Sequence, residues 1–395
     1  MKVRLMMLVM ILFSLGIQAQ SRAIPTTVPY LMNAPDSRGT GLGALGAASK
    51  PDAFSMHWNP AKYAFCDKRY GFAISYTPLL WKKLQNYELF DLSFIYPAFN
   101  AYFRIKERIA IATSYVYYAH GEITFTNEFG EDLGTYRPFD FYTDVSFSYQ
   151  ISEVLSIGLA FRVIYSELTQ GQYVQGAATS PGISEAIDIS VYYQRNISLG
   201  RKEGNIAWGI DISNIGSKMS YSETAVDKDF IPTNLRAGIG FTTNFNASNS
   251  LTFLADFNKL LVPTPPVYLR DSLGQPVYDS DDNPVIAEGK DPNVSVFRGM
   301  IQSWYDAPGG FNEEMREWSF GMSVEYWLKN KYSARAGFYH EDETKGERRY
   351  FTTGLGVRFG WFGFDTAILI PFEETPFKLF NMRSSIMIEI GMRKD

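Results

Sequence analysis

The sequence has few of the residues that build disulfide frameworks or histidine metal sites. It contains one cysteine, Cys66, and three histidines, His57, His120 and His340, which lie far apart and lack the spacing of metal ligands. One cysteine excludes an internal disulfide, and without cysteine or histidine neighbours Cys66 is expected to be a small buried side chain. We therefore expect neither a disulfide scaffold nor a histidine-based metal site.

Long apolar runs and a basic charge balance are also absent. After Leu15 no stretch approaches the roughly twenty consecutive apolar residues that a transmembrane helix needs. The formal net charge is −5 and the pI is near 5.5, so the chain offers no basic face to DNA or RNA. These absences argue against a helical inner-membrane protein and against a nucleic-acid partner.

The first residues have the pattern of a secretory signal peptide. Lys2 and Arg4 precede an apolar run from 5 to 15, and small residues follow as far as Ala19. We predict that residues 1–19 are removed and that the mature chain starts at Gln20. No cysteine follows this point directly, which argues against a lipoprotein.

From Tyr70 onward apolar residues alternate with small or polar ones at the period of two that is typical of β-strands. In the segment 153–167 one face carries Leu155, Ile157, Leu159, Phe161, Val163 and Tyr165, and the other carries Val154, Ser156, Gly158, Ala160, Arg162 and Ser166. The pattern predicts about fourteen strands, with starts near Tyr70, Leu89, Arg108, Arg137, Glu153, Ser184, Asn205, Thr233, Ser250, Arg316, Lys331, Arg349, Trp361 and Met382.

The connections between these strands alternate in length. Short polar turns are predicted near 106–107, 151–152, 200–203, 246–249, 330 and 360, and longer loops on the opposite side. Short periplasmic turns and long outer loops are typical of outer-membrane barrels, and an aromatic content of 16% suits their interfacial girdles. A soluble β-sandwich would also alternate, but its inward face would be apolar. We predict an all-β antiparallel transmembrane β-barrel of about 14 strands over residues 70–395.

One outer loop, at about 260–315, is much longer than the others. Loops of this length inside a compact protein are usually functional or disordered. Its prolines and aromatics favour a partly ordered surface for a partner, because they give contact area at low entropy cost. The alternative is that these residues only cap the mouth of the barrel. The candidate contact residues are Pro265, Pro266, Tyr268, Trp304 and Tyr305.

Two short motifs imitate ligand sites. Residues 41–46 match the dinucleotide fingerprint, but no predicted strand precedes them and no amphipathic helix follows, so we read them as a glycine-dependent turn and expect no cofactor. Asp279, Asp281 and Asn283 resemble the start of a calcium loop, yet Pro284 replaces its glycine and Lys290 its bidentate acid. A weakly bound cation that orders the loop stays an alternative.

A catalytic motif is equally weak. No Gly-x-Ser-x-Gly elbow is present, and a barrel hydrolase would need a serine and a histidine brought together by the fold, for example Ser114 with His120. We expect the protein not to be an enzyme.

Four strings stand out together. They are residues 30–39, the glycine run 41–46, residues 57–65 with His-Trp-Asn-Pro-Ala-Lys-Tyr-Ala-Phe, and residues 259–266 with Lys-Leu-Leu-Val-Pro-Thr-Pro-Pro. These strings resemble the PorV family, which belongs to the wider group of FadL-like barrels, over essentially the whole mature chain. In that group the N-terminal segment folds into the lumen. The resemblance therefore implies a hatch or plug at 20–69, with candidate residues Arg38, Gly41, Gly43, Gly46, Asn59 and Pro60.

The resemblance also implies a function. Proteins of the PorV family are non-enzymatic outer-membrane components of type IX secretion that take secreted cargo by its C-terminal sorting domain. The implied partners are an SprA- or Sov-like translocon barrel, a surface attachment complex with a PorU-like sortase, and the lipid and lipopolysaccharide of the bacterial outer membrane. The alternative is a FadL-like channel for hydrophobic small molecules. Inward positions such as Arg162, Glu325 and Arg358 favour a filled, polar interior over a channel.

Overall fold

The computed structural model describes residues 23–77, 95–126, 130, 132–169, 171, 173–174, 177–200, 202–222, 228–372 and 381–392. The predicted signal peptide and the predicted mature start at Gln20 lie outside these residues. None of the helices in the described part is both long and apolar enough to cross a bilayer.

Fourteen antiparallel strands form a closed barrel in which each strand pairs with its neighbours in sequence and the first pairs with the last. The predicted fold class is confirmed. The strands are β1 Lys68–Tyr76, β2 Ala98–Lys106, β3 Ile109–Ala119, β4 Phe139–Gln150, β5 Leu155–Glu167, β6 Gly182–Leu199, β7 Lys202–Gly216, β8 Asn234–Asn246, β9 Asn249–Leu260, β10 Trp318–Leu328, β11 Tyr332–His340, β12 Tyr350–Phe359, β13 Phe362–Pro371 and β14 Asn381–Met392.

The predicted strand starts agree with these bounds except at β2. This strand begins at Ala98, whereas the predicted start, Leu89, lies outside the described residues. Pro97 directly precedes the strand and has no amide proton to donate to a ladder. Tyr96 and Pro97 lie outside the strand, so β2 begins later than the sequence pattern predicted.

Connections differ in length between the two ends of the barrel. At one end the strands are joined by two to four residues, at 107–108, 151–154, 200–201, 247–248, 329–331 and 360–361. Left-handed backbone at Asn330, with φ 53°, and at Gly360, with φ 61°, makes two of these turns tight. The opposite end carries the loops 120–138, 168–181, 217–233, 261–317 and 341–349. In an outer-membrane barrel the first end is periplasmic and the second is the outer end.

The two faces of the wall differ as the sequence predicts. On β5, Leu159 is 52% exposed, whereas Ser156 and Arg162 are buried. The same alternation recurs on the other strands, so that an apolar outer surface surrounds a polar interior. The predicted facing of β5 is confirmed, and its apolar face is the one that contacts lipid.

Arginine at position 159 should impair assembly. Close to the midplane, a lipid-facing arginine costs about 2–4 kcal/mol, whereas the cost near an interface is about 0–1 kcal/mol. Leu328→Arg, at the periplasmic end of β10, is therefore a matched control for Leu159→Arg. Unfolding in urea, followed by heat-modifiable migration on gels, measures both. Equal losses at the two positions would contradict the assigned facing.

Candidate functional site

Residues 28–66, which we call the interior segment, fill the barrel. The segment contains four short helical turns, Pro29–Met32, Ser37–Gly41, Ser55–Trp58 and Pro60–Phe65, and nearly all its side chains are buried. Just before it, the Thr27 amide donates to the Phe230 carbonyl in the outer loop 217–233, at 2.9 Å. At its other end the Cys66 carbonyl accepts from Arg104, near the periplasmic end of β2, at 2.7 Å. The segment thus runs along the interior from the outer end to the periplasmic end.

Arg38 links this segment to the wall through a chain of buried charges. Its guanidinium lies 2.8 Å from Asp52, in the same segment, and 2.9 Å from Glu325 on β10. Carboxylates and guanidinium groups alternate along the inner face of the wall. Their order is Asp52, Arg38, Glu325, Arg335, Asp365 and Arg358. Each buried charge is therefore offset by an opposite charge at hydrogen-bond distance, which is the condition under which such a network is stable.

The predicted glycines lie where the segment touches the wall or turns sharply. Gly43 has φ +75° and its amide donates to Thr352 on β12 at 2.9 Å. A Cβ at Gly41 would lie 3.2 Å from the Cα of Gly354, so the two backbones meet directly. Gly46 packs against the Trp58 ring. The first barrel strand begins only after this run, so the run is a turn and lacks the strand that a dinucleotide site requires.

Asn59 and Pro60 join two turns of the segment and bind the wall. The Asn59 amide group donates to the Val191 carbonyl on β6 at 2.9 Å and to Ala47 at 3.2 Å, and its oxygen accepts from the Ala61 amide. The Pro60 carbonyl accepts from the Ser148 hydroxyl at 2.7 Å. The structure therefore brings all six predicted interior residues, Arg38 to Pro60, into the barrel.

The long outer loop, residues 261–317, is ordered by its own secondary structure. Val267–Tyr268 pairs with Ile286–Glu288, and two helices follow, Val296–Gln302 and Phe311–Arg316. Of the predicted contact residues, Tyr268, Trp304 and Tyr305 are exposed. Pro265 is half-buried and Pro266 is buried, so in this structure Pro266 offers little surface to a partner. Pro266 supports the base of the loop, where it packs close to Gly289.

A buried ion cluster, which the sequence did not predict, fastens this loop to the rim. Lys259, at the outer end of β9, lies 2.6 Å from Glu317 and 3.2 Å from Glu314. Lys345, from the loop 341–349, lies 3.0 Å from Glu317 and 2.7 Å from Glu313. Lys259 belongs to the string 259–266 quoted above, but its partners lie too far along the chain to be recognised from spacing.

The weak motifs do not assemble into sites. The Asp279 carboxylate accepts from the amides of Asp281 and Asn283, each at 2.9 Å, and these bonds lower its pKa. Within the described ranges no cluster of three histidine, cysteine or acidic side chains could hold a metal ion. Ser114 donates to Asp144 and His120 contacts Asp140, so each has its own acidic partner.

A family model matches the sequence of the interior segment and of the first nine barrel strands. The model described as Type IX secretion system protein PorV matches residues 16–267. The chain belongs to the PorV family. It is an outer-membrane β-barrel protein and a component of type IX secretion.

Solved structures similar to this PorV-family barrel are of low sequence identity. The CymD monoaromatic hydrocarbon channel is 14% identical, with a TM-score of 0.50, 92% of this chain covered and 100% of that chain. The TodX deltaS2S3 mutant monoaromatic hydrocarbon channel is 12% identical, with a TM-score of 0.50, 89% of this chain covered and 96% of that chain. Such likeness shows the FadL-like fold alone. No curated protein sequence matches the chain.

Removing the Asn59 side chain should loosen the interior segment of this PorV-family barrel. Asn59→Ala deletes the three hydrogen bonds of that side chain and leaves the carbonyls of the half-buried Val191 and the buried Ala47 with one donor fewer, at about 1–3 kcal/mol for each buried group left unsatisfied. Amide hydrogen exchange across residues 55–65 should accelerate. Asn246→Ala, in an exposed periplasmic turn, is the control and should leave that exchange unchanged. Equal exchange in both variants would contradict the anchoring role.

The base of the long outer loop should respond to pH. Burial, aided by the carboxylates of Glu317 and Glu314, raises the pKa of Asp306 from 3.8 to about 6, although the Thr264 amide that donates to it opposes the shift. At a pH between 3.8 and about 6, Asp306 is protonated in the folded loop and ionised in the unfolded loop. The folded loop therefore loses stability as the pH rises towards about 6. Exchange of the Thr264 amide, corrected for intrinsic pH dependence, should show this loss. A pH dependence unchanged in Asp306→Asn would contradict it.

Proposed function

We propose that this PorV-family barrel is a non-enzymatic carrier at the cell surface. It receives secreted cargo by its C-terminal sorting domain from the translocon barrel and delivers it to the attachment complex that contains the sortase. The observation that carries this proposal is the filled interior. A segment pinned to the wall from one end to the other favours work at the outer rim over passage through the barrel.

The outer rim offers a surface suited to a folded partner. The tip of the long loop, residues 269–285, exposes Leu269, Leu273 and Tyr278, of which Leu273 is 82% exposed. The tip is internally hydrogen-bonded, since the Leu269 amide donates to the Val285 carbonyl and the Asp271 and Asp279 carboxylates accept from backbone amides in its turns. Ordered apolar side chains lose little entropy on binding, so the tip is our candidate for cargo contact.

Affinity purification from outer membranes tests this proposal. The tagged protein should bring down secreted proteins that share a C-terminal sorting domain, together with translocon and sortase subunits. A variant without the tip should bring down the translocon but lose the cargo. Cargo recovery that is unaffected by the tip would count against the assigned surface, and absence of any secretion component would count against the carrier function.

The second candidate function is a channel for hydrophobic small molecules. One feature favours it: an apolar groove of about 460 Å³ in the lipid-facing wall, lined by Phe72, Phe99 and Tyr115 on neighbouring strands. On the interior side of the same strands, however, the Tyr102 ring is fully buried and packs 5.4 Å from the Tyr63 ring of the interior segment. Binding of a monoaromatic hydrocarbon that is abolished by Tyr115→Ala and independent of cargo would favour the channel.

A further inference from the structure

Lys259 shows on which side of the wall the long outer loop lies. Along β9 the side chains of Phe253 and Phe257 face outward and are exposed, whereas Asp256 and Asn258 face inward and are buried. By this alternation Lys259 faces outward. It is nevertheless only 1% exposed, because Glu314 and Glu317 contact its ammonium group and the Trp304 ring lies 5.9 Å away. Part of the loop therefore folds over the outward side of the rim.

The two helices of this loop expose apolar stripes. In Val296–Gln302 and the residues after it, Phe297, Ile301 and Trp304 follow the i, i+4, i+7 spacing of one helix face and are 70%, 65% and 48% exposed. The opposite face holds Gly299, which is buried against Phe230. In Phe311–Arg316 the i, i+4 pair Phe311 and Met315 is 77% and 52% exposed. We call these five exposed residues the loop apolar surface.

This surface continues into the lipid-facing wall. Trp304 meets Trp318 edge to face, with ring centroids 5.9 Å apart. Trp318 is the first residue of β10 and faces the same way as the exposed Met322. From Trp318 to Leu328 a strand tilted by roughly 40° rises about 25 Å, the height of the apolar band of a barrel. Trp318 thus lies at the outer edge of the hydrocarbon, and Trp304 lies beside it.

The charges beside the loop apolar surface suit an anionic lipid headgroup. Arg298 and Arg316 are exposed on the two helices, next to Phe297 and Met315 in sequence. Short helices with aromatic or aliphatic residues on one face and basic residues beside it lie in the membrane interface, with the apolar face about 5–10 Å into the boundary between headgroups and acyl chains.

We propose that the loop apolar surface anchors the long outer loop in the outer leaflet of the membrane. Its occupant is lipid: acyl chains against Phe297, Ile301, Trp304, Phe311 and Met315, and anionic headgroups against the two arginines. Trp304 then faces lipid and not cargo. The inference depends on the outer-membrane location of the barrel and is independent of cargo capture.

Spin labels on the full mature chain test the proposal. Ile301→Cys and Met315→Cys are labelled in a Cys66→Ser background, in nanodiscs of phosphatidylethanolamine and phosphatidylglycerol. Ile239→Cys, on the lipid-facing wall, and Leu273→Cys, on the tip, are the references, and all four side chains are exposed so that labelling disturbs no packing. The labels at 301 and 315 should show a ratio of oxygen to nickel-chelate accessibility several-fold above that at 273 and close to that at 239.

Two results would overturn the anchor. If the ratios at 301 and 315 equal that at 273, the surface lies in water. If they rise only when secretion partners are added, the surface is a protein interface. Heat-modifiable migration of each labelled variant verifies that the barrel is folded, and cargo recovery with Ile301→Ser separates the two proposals, because loss of the anchor leaves the tip and its contacts in place.

Discussion

Replacing Arg38 with methionine should lower the free energy of unfolding by about 3–5 kcal/mol, the cost of breaking a buried ion pair by removing one partner. Methionine keeps an unbranched apolar side chain in place of the aliphatic part of arginine, but it leaves Asp52 without its ion partner and leaves Glu325 with Arg335 alone. The Lys50 carbonyl also loses a donor. Because this arginine joins the interior segment to β10, the segment should loosen at that strand and the barrel should become more permeable to small solutes.

Lys50→Met is the matched control for this change. Lys50 lies in the same segment, but both side chains of its ion pair with Asp67 are exposed to solvent. Loss of this ion pair should change the free energy of unfolding by no more than about 1 kcal/mol. Urea unfolding in detergent micelles gives the stability, and swelling of vesicles in sugar solutions gives the permeability. If Arg38→Met were as stable and as impermeable as Lys50→Met, the interior segment would not be held by this network.

Replacing residues 270–284 with Asn-Gly should abolish cargo recovery and leave the barrel intact. The Leu269 amide donates to the Val285 carbonyl at 2.8 Å, so the cut ends are already adjacent and a two-residue turn closes them. The pairing of Val267–Tyr268 with Ile286–Glu288 and the ion cluster around Lys259 are retained. Only the exposed tip is lost.

Point variants test whether cargo binds the apolar side chains of the tip or requires only that the tip be present. Leu273→Ser with Tyr278→Ser removes the exposed apolar groups, and Ser280→Ala with Asp281→Ala changes exposed polar residues on the same tip. The first pair should reduce cargo recovery as the deletion does, and the second should not. Full cargo recovery with the deletion would show that cargo binds elsewhere on the rim.

The fold could be predicted because a barrel wall repeats a local rule. Each strand must place apolar residues towards lipid and small or polar residues inward. The lipid-facing sides of β5 and β10 can therefore be predicted from their own sequences, without knowing which strands they pair with. The rule gives only an approximate start for β2, where Pro97 has no amide proton to donate and the strand begins at Ala98. The short turns and the long loops were predictable for the same reason, since their residues interrupt the alternation.

The interior could be predicted only in part. The strings around Arg38 and Asn59 marked the residues that enter the barrel, and Arg162, Glu325 and Arg358 were assigned to the inward face. The partners could not be predicted, because Arg38 and Glu325 are separated by 287 residues and meet only through the closure of the barrel. For the same reason the sequence could not predict the ion cluster around Lys259, or that Pro266 is buried at the base of the loop.

Cargo is expected to bind at the outer rim of a barrel whose interior stays filled, and a binding measurement tests this most directly. The purified C-terminal domain of a secreted cargo protein is added to sealed vesicles that carry the full barrel, and bound domain is measured by sedimentation. We predict saturable binding to the unmodified barrel and none to the variant lacking 270–284. Equal binding to both, or none to either while a hydrophobic small molecule binds the barrel, would contradict the account.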